Sequence, residues 1–144
     1  MTITSPEFVA GLAADAEAAG ITGFVAAAVI NHDGRTLFVR RNPDDYMGGL
    51  WEIPSGTVEA GESILDAVYR ETAEETGLTI SEITGYIGHF DYQNSRGTTT
   101  RQFNFSATVE KAEPVILTEH DAHQWAAADE LPEVTDSVRK LITT

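Results

Sequence analysis

Hydrophobic and polar positions along this chain repeat with either a helical or an alternating period, and the changes between them divide it into elements. Ser5-Pro6-Glu7 has the order of an N-cap, an N1 proline and a first-turn acid. An alanine-rich helix is predicted from there to about Ala19, stopped by Gly20, with Phe8, Val9 and Leu12 as its apolar stripe. That stripe suits packing on the domain or a dimer contact. Phe24 to Ile30 reads as a buried strand, Asn31-His32-Asp33-Gly34 as a hairpin turn, and Thr36 to Arg41 as the returning strand. Asn42 to Gly49 is a loop, and Trp51 to Val58 holds short strands.

From Ile64 to Thr76 there is neither Pro nor Gly, and Ala, Leu and Glu are frequent, which predicts a helix. Ser63 with Asp66 three residues on resembles a capping box, and Gly77 stands where a left-handed residue ends a helix. Strands follow at Ile80 to Tyr92, Arg101 to Val109 and Ala122 to Ala126, with a polar loop from Asn94 to Thr99. A last helix is predicted over about Glu133 to Ile142. Strands, one helix, more strands and a final helix fit an α/β sandwich with a mixed sheet between helices. Periodicity leaves the topology open.

Composition narrows the class. At 144 residues, with 42% hydrophobic and 22% charged residues, the chain is one domain able to bury a sizeable core. No apolar run reaches membrane-spanning length and no leader pattern is seen, so no membrane association is expected. The absence of cysteine excludes disulfides and thiolate metal sites and fits a cytoplasmic location. A net charge of −14 argues against a nucleic-acid duplex as partner, because the phosphates would be repelled.

The acids are distributed unevenly. Glu71, Glu74 and Glu75 fall within one sector of the predicted central helix, where like charges repel. E-x-x-E-E by itself is usually a solvated face. A cation would offset the repulsion, and hard carboxylate oxygens suit Mg²⁺, Mn²⁺ or Ca²⁺. Arg70 carries one charge and cannot compensate all three, though it can orient one carboxylate bidentately. A tight loop, Pro54-Ser55-Gly56 and Gly61-Glu62, feeds the helix, and Leu65, Val68 and Thr72 give it an apolar sector beside the acids.

The whole stretch from Gly56 to Leu78, GTVEAGESILDAVYRETAEETGL, resembles the Nudix box, G-x5-E-x7-R-E-U-x-E-E-x-G-U with U a bulky apolar residue. Gly56, Glu62, Arg70, Glu71, Glu74, Glu75, Gly77 and Leu78 match, and Thr72 replaces the usual aliphatic residue. Leu50 to Pro54 and the E-x5-W segment Glu119 to Trp125 extend the resemblance over roughly Gly23 to Leu141.

The resemblance implies the Nudix fold, an α/β/α sandwich, with residues 22–144 as the hydrolase domain and 1–21 as a helical extension. It implies Mg²⁺ or Mn²⁺ on Glu71, Glu74 and Glu75, with the Ser55 carbonyl as a further ligand. Glu71 or Glu119 would be the general base and Arg70 would orient the cluster. Arg41 would clamp a substrate phosphate, the rival reading being a surface ion pair. Glu52 would line the site, Gly56 would let the backbone approach metal or phosphate, and Glu62 would support the loop.

The implied reaction is hydrolysis of a diphosphate bond in a nucleoside diphosphate linked to another group. A nucleoside triphosphate is the first choice, and ADP-ribose or another nucleotide derivative is the rival. Relatives that read an oxidised base use an Asn shortly after a Pro; here Pro132 is followed by Glu133-Val134-Thr135-Asp136. A nucleotide sensor without turnover is the competing class, disfavoured because every box acid is kept and no basic extension is present. His89, His120 and His123 read as strand or loop polar residues. Phe90, Tyr92, Phe103 and Phe105 read as core or pocket wall rather than a base-stacking platform, though one of them could stack on a base, and Tyr46 and Trp51 share both readings. A homodimer through the N-terminal helix is compatible with the sequence.

Overall fold

The computed structural model describes residues 4–45 and 47–143, so Tyr46 lies outside the described residues. The elements follow in the order α1 (Pro6–Ala18), β1 (Gly23–His32), β2 (Arg35–Arg41), β3 (Trp51–Glu52), β4 (Ser55–Thr57), α2 (Ile64–Thr76), β5 (Ile80–Gln93), β6 (Thr99–Val109), β7 (His120–Ala126) and α3 (Asp136–Thr143). No helix among the described residues is long and apolar enough to cross a membrane.

β1 organises the mixed sheet. It runs parallel to β6 from Gly23 to Ile30. On its other edge it pairs antiparallel first with β4, at Val25 to Ala27, and then with β2, at Asn31 and His32. This change of partner splits the sheet into two parts. One is β4-β1-β6-β5, the other β3-β2-β7, and they join at the far end of β1.

The alternation along β1 assigns its side chains to two cores. Ala26, Ala28 and Ile30 pack with Phe103 and Phe105 against Val9 and Ala16 of α1 and Ile64, Ala67 and Val68 of α2. Ala27 and Val29 face the opposite way and pack with Phe38, Ile53 and the α3 residue Val138. The result is an α/β/α sandwich. Phe8 and Leu12 also pack on the first core, so the stripe of α1 is used within the chain.

α2 is set by local chemistry at both ends. Ser63 Oγ accepts the N–H of Asp66 at 3.1 Å, and Gly77, with φ 73°, donates its N–H to the Ala73 carbonyl. The left-handed cap costs glycine little and any β-carbon more. Ser63→Ala is expected to lower stability by about 1 kcal/mol, read from the urea midpoint.

α3 starts at Asp136, later than the sequence pattern suggested. The Glu133 carbonyl accepts the Trp51 N–H on the β3 edge, and Thr135 caps the helix by accepting the Val138 N–H. Residue 133 is therefore committed to the connection that precedes the helix.

Candidate active site

α2 crosses β1 and β4, and its acids divide by depth. Glu75 is on the packed side, with a residue exposure of 7%. Its Oε1 accepts the backbone N–H of Ser55 at 2.9 Å. Burial pushes its pKa up to about 8, and the charges of Glu52 and Glu71 add to the push, while the Ser55 N–H and His120 oppose it. Glu71 lies against β4, where a Cβ on residue 56 would overlap its carboxylate. The sequence assigned Gly56 to approach by metal or phosphate. In the structure the Glu71 side chain also needs this glycine, because it lies where a Cβ would stand. Burial also raises the pKa of Glu71, against the pull of Arg70 and with the help of Glu74 and Glu119.

Arg70 holds more than the single carboxylate foreseen. Its Nε and Nη2 donate to the two oxygens of Glu62 at 2.7 and 2.8 Å. Nη1 donates to Glu71 at 2.6 Å and Glu74 at 3.1 Å, and Nη2 also reaches the Thr57 carbonyl at 2.9 Å. The guanidinium thus ties the box loop to the helix. Glu62 completes the link by accepting the Glu59 N–H, and its pairing with Arg70 holds its pKa down to about 2. Both stand behind the cleft wall, which is made instead by Glu71, Glu74 and Glu75.

The opposite wall comes from the other part of the sheet. Arg41 Nη1 donates to Glu52 Oε1 at 3.1 Å, so the ion pair weighed as its rival role exists and joins two residues that both line the cleft. Arg40 is turned away, paired through Nε and Nη2 with Asp121 and lying 5.6 Å from the Trp51 ring centre. Glu52 Oε2 is 2.8 Å from His120 Nε2.

His120 sits opposite Arg41 in the β2–β7 pair and its side chain is 4% exposed. The sequence reading gave it no role, because the strand pairing that brings it to the cleft has no local signature. Its Nδ1 is buried without a hydrogen-bond partner. Nε2 faces the Glu52 carboxylate, so the proton on that nitrogen is the one the site stabilises. Burial lowers the His120 pKa, but the Glu52 hydrogen bond and the charges of Glu75 and Glu52 outweigh it and the net shift is upward. His89 and His123 do not line the cleft.

The cleft has a volume of about 370 Å³ and gathers Arg41, Glu52, Ser55, Gly56, Glu71, Glu74, Glu75, Glu119 and His120 from both parts of the sheet and α2. Glu119 is anchored through its carbonyl, which accepts from the Asn42 side chain at 3.1 Å. Among the described residues no three acidic or imidazole side chains stand together at metal-ligand spacing, since Arg70 draws Glu71 and Glu74 to itself. The donor chemistry still fits a hard divalent cation. Every candidate donor is oxygen, and Glu71 and Glu75, whose pKa values are raised first by burial and then by neighbouring carboxylates, are acids whose ionised form a cation would stabilise. Such a cluster, with a cationic clamp across a cleft, suits catalysis on a phosphate chain.

Comparison with known proteins places the chain. A profile of the NUDIX domain matches residues 22–143. An RNA pyrophosphohydrolase of Bartonella clarridgeiae is 31% identical over 83% of this chain and 84% of its own. A MutT-like protein of Streptomyces ambofaciens is 35% identical over 76% of this chain and 66% of its own. Among solved structures, a MutT NUDIX hydrolase from Burkholderia pseudomallei superposes with a TM-score of 0.74 at 27% identity, covering 83% of this chain and 95% of that one. Nudix hydrolases are pyrophosphohydrolases that generally use divalent cations and act on small-molecule nucleotides. Profile, relatives and fold agree, and the chain belongs to the Nudix hydrolase family.

Proposed function

We propose that this cleft hydrolyses a diphosphate bond in a nucleoside triphosphate, with Mg²⁺ or Mn²⁺ held by Glu71, Glu74, Glu75 and the Ser55 carbonyl. The observation that carries the reading is the convergence of these carboxylates and Glu119 with Arg41 in one cleft. The cation, when bound, supplies Lewis-acid polarisation of the phosphate oxygens and of the attacking water. Glu71 or Glu119, both on the cleft wall, accepts the water's proton. Arg41, oriented by Glu52, neutralises charge on a substrate phosphate, and Arg70 keeps the Glu71 carboxylate in place. No covalent intermediate is required.

Arg41→Ala should raise KM for a nucleotide substrate about tenfold or more with a smaller change in kcat, in steady-state assays with Mg²⁺. An unchanged KM would remove Arg41 from the phosphate site.

The Bartonella relative's name favours a second reading, a pyrophosphate bond carried by RNA. The charge of −14 weighs against a long polyanion. A panel of nucleoside triphosphates, ADP-ribose and a 5′-triphosphorylated oligonucleotide, assayed for phosphate and pyrophosphate release, ranks the readings. Fastest turnover of free triphosphates supports the first; preference for the oligonucleotide or ADP-ribose replaces it.

A further inference from the structure

A second cavity, of about 390 Å³, adjoins the cleft and shares Arg41, Glu52, Ser55 and Tyr92 with it. Trp51 and Phe90 contribute aromatic wall, and Gln102 lies on its surface. Gln102 and Asn104 are unusual for a central strand. They alternate with the core residues Phe103 and Phe105, yet Gln102 is only 7% exposed and Asn104 is fully buried.

Their hydrogen bonds fix which way both amides point. Asn104 Nδ2 donates to the Gly88 and Gln102 carbonyls, each at 3.1 Å. Carbonyls only accept, so this end of Asn104 must be its NH₂. Asn104 Oδ1 is then the acceptor for Gln102 Nε2 at 2.9 Å. That leaves Gln102 Oε1 as the remaining polar atom of an immobilised side chain on the cavity wall. It is not among the sealed, unpartnered atoms, where only His120 Nδ1 is found in the described residues. Gln102 therefore presents an acceptor, its Oε1, to this part of the wall.

We propose that this cavity is the nucleobase subsite and that Gln102 Oε1 selects bases bearing an exocyclic amino group; the proposal rests on reading the adjoining cleft as a nucleotide site. Its aromatic lining suits stacking on a flat ring, and Arg41, shared with the cleft, is the group to meet the attached phosphate. An amino group donates to the fixed acceptor. A keto group at the same position turns a lone pair toward it, and the amide cannot rotate to compensate without breaking the Asn104 network.

The test is equilibrium binding of mononucleotides to the wild-type chain, comparing AMP with IMP and CMP with UMP. Each pair differs by amino against keto. AMP and CMP should bind about fivefold or more tighter than their keto partners, the worth of one hydrogen bond of about 1 kcal/mol. AMP should also shift the Gln102 side-chain amide resonances. Gln102→Leu should bring both ratios to near unity. That variant leaves Asn104 Oδ1 without its donor, so the wild-type ratios and resonance shift decide the matter if it folds poorly. Equal binding within both pairs, absence of mononucleotide binding, or unmoved Gln102 resonances would overturn the proposal. Mononucleotides contain no diphosphate bond, so these results are independent of whether the chain hydrolyses one.

Discussion

Glu75→Gln is expected to leave the chain folded and to lower kcat/KM by about two to three orders of magnitude, the scale of removing one preorganised electrostatic group from a water-poor site. Glutamine has nearly the same shape and keeps an oxygen for the Ser55 N–H, which Glu75 now accepts at 2.9 Å. What it loses is negative charge at the most buried acid of the cluster. Circular dichroism reports the fold, and steady-state rates with Mg²⁺ report the chemistry. A folded variant with wild-type activity would exclude Glu75 from the proposed metal set.

The same substitution should reverse a pH effect on stability. Burial raises the Glu75 pKa from 4.5 to about 8, so the folded state holds this proton more tightly than the unfolded chain does. The associated stability is fully present below pH 4.5 and is lost as pH rises through about 8. In chelator, the wild-type protein should lose on the order of a few kcal/mol across that window from this residue. A glutamine amide does not titrate, so Glu75→Gln should flatten the loss and become the more stable protein at the alkaline end. Urea midpoints at acidic and alkaline pH, measured for both proteins, check this. Parallel pH profiles would mean that the Glu75 carboxylate is not strained by burial.

The sequence resolved what is set locally. α2 was legible to the residue, because Ser63 and Gly77 act within one turn of the helix they bound. The hairpin after β1 was equally plain from Asp33-Gly34, whose positive φ angles make the turn. Groups that meet through strand pairing were not legible. Arg41, Glu52 and His120 come from β2, β3 and β7, and nothing near His120 in the chain marks it as the partner of Glu52. Nor did the sequence signal the close approach of the Glu71 carboxylate to Gly56, which arises only when α2 lies on β4. In β6 the phenylalanines Phe103 and Phe105 mark the core face. The alternating Gln102 and Asn104 carried a signal too, because a strand expected in the middle of a sheet leaves its polar residues to be satisfied inside.

The central claim is that this cleft directs water to phosphorus in a nucleotide diphosphate bond. Turnover of a nucleoside triphosphate with Mg²⁺ in heavy-oxygen water, with mass analysis of the products, tests it most directly. One heavy oxygen in a single phosphoryl product of the wild-type enzyme, with the label almost absent from Glu75→Gln over the same time, is the result expected. Intact nucleotide in the wild-type reaction, or equal labelling by the variant, would contradict the account.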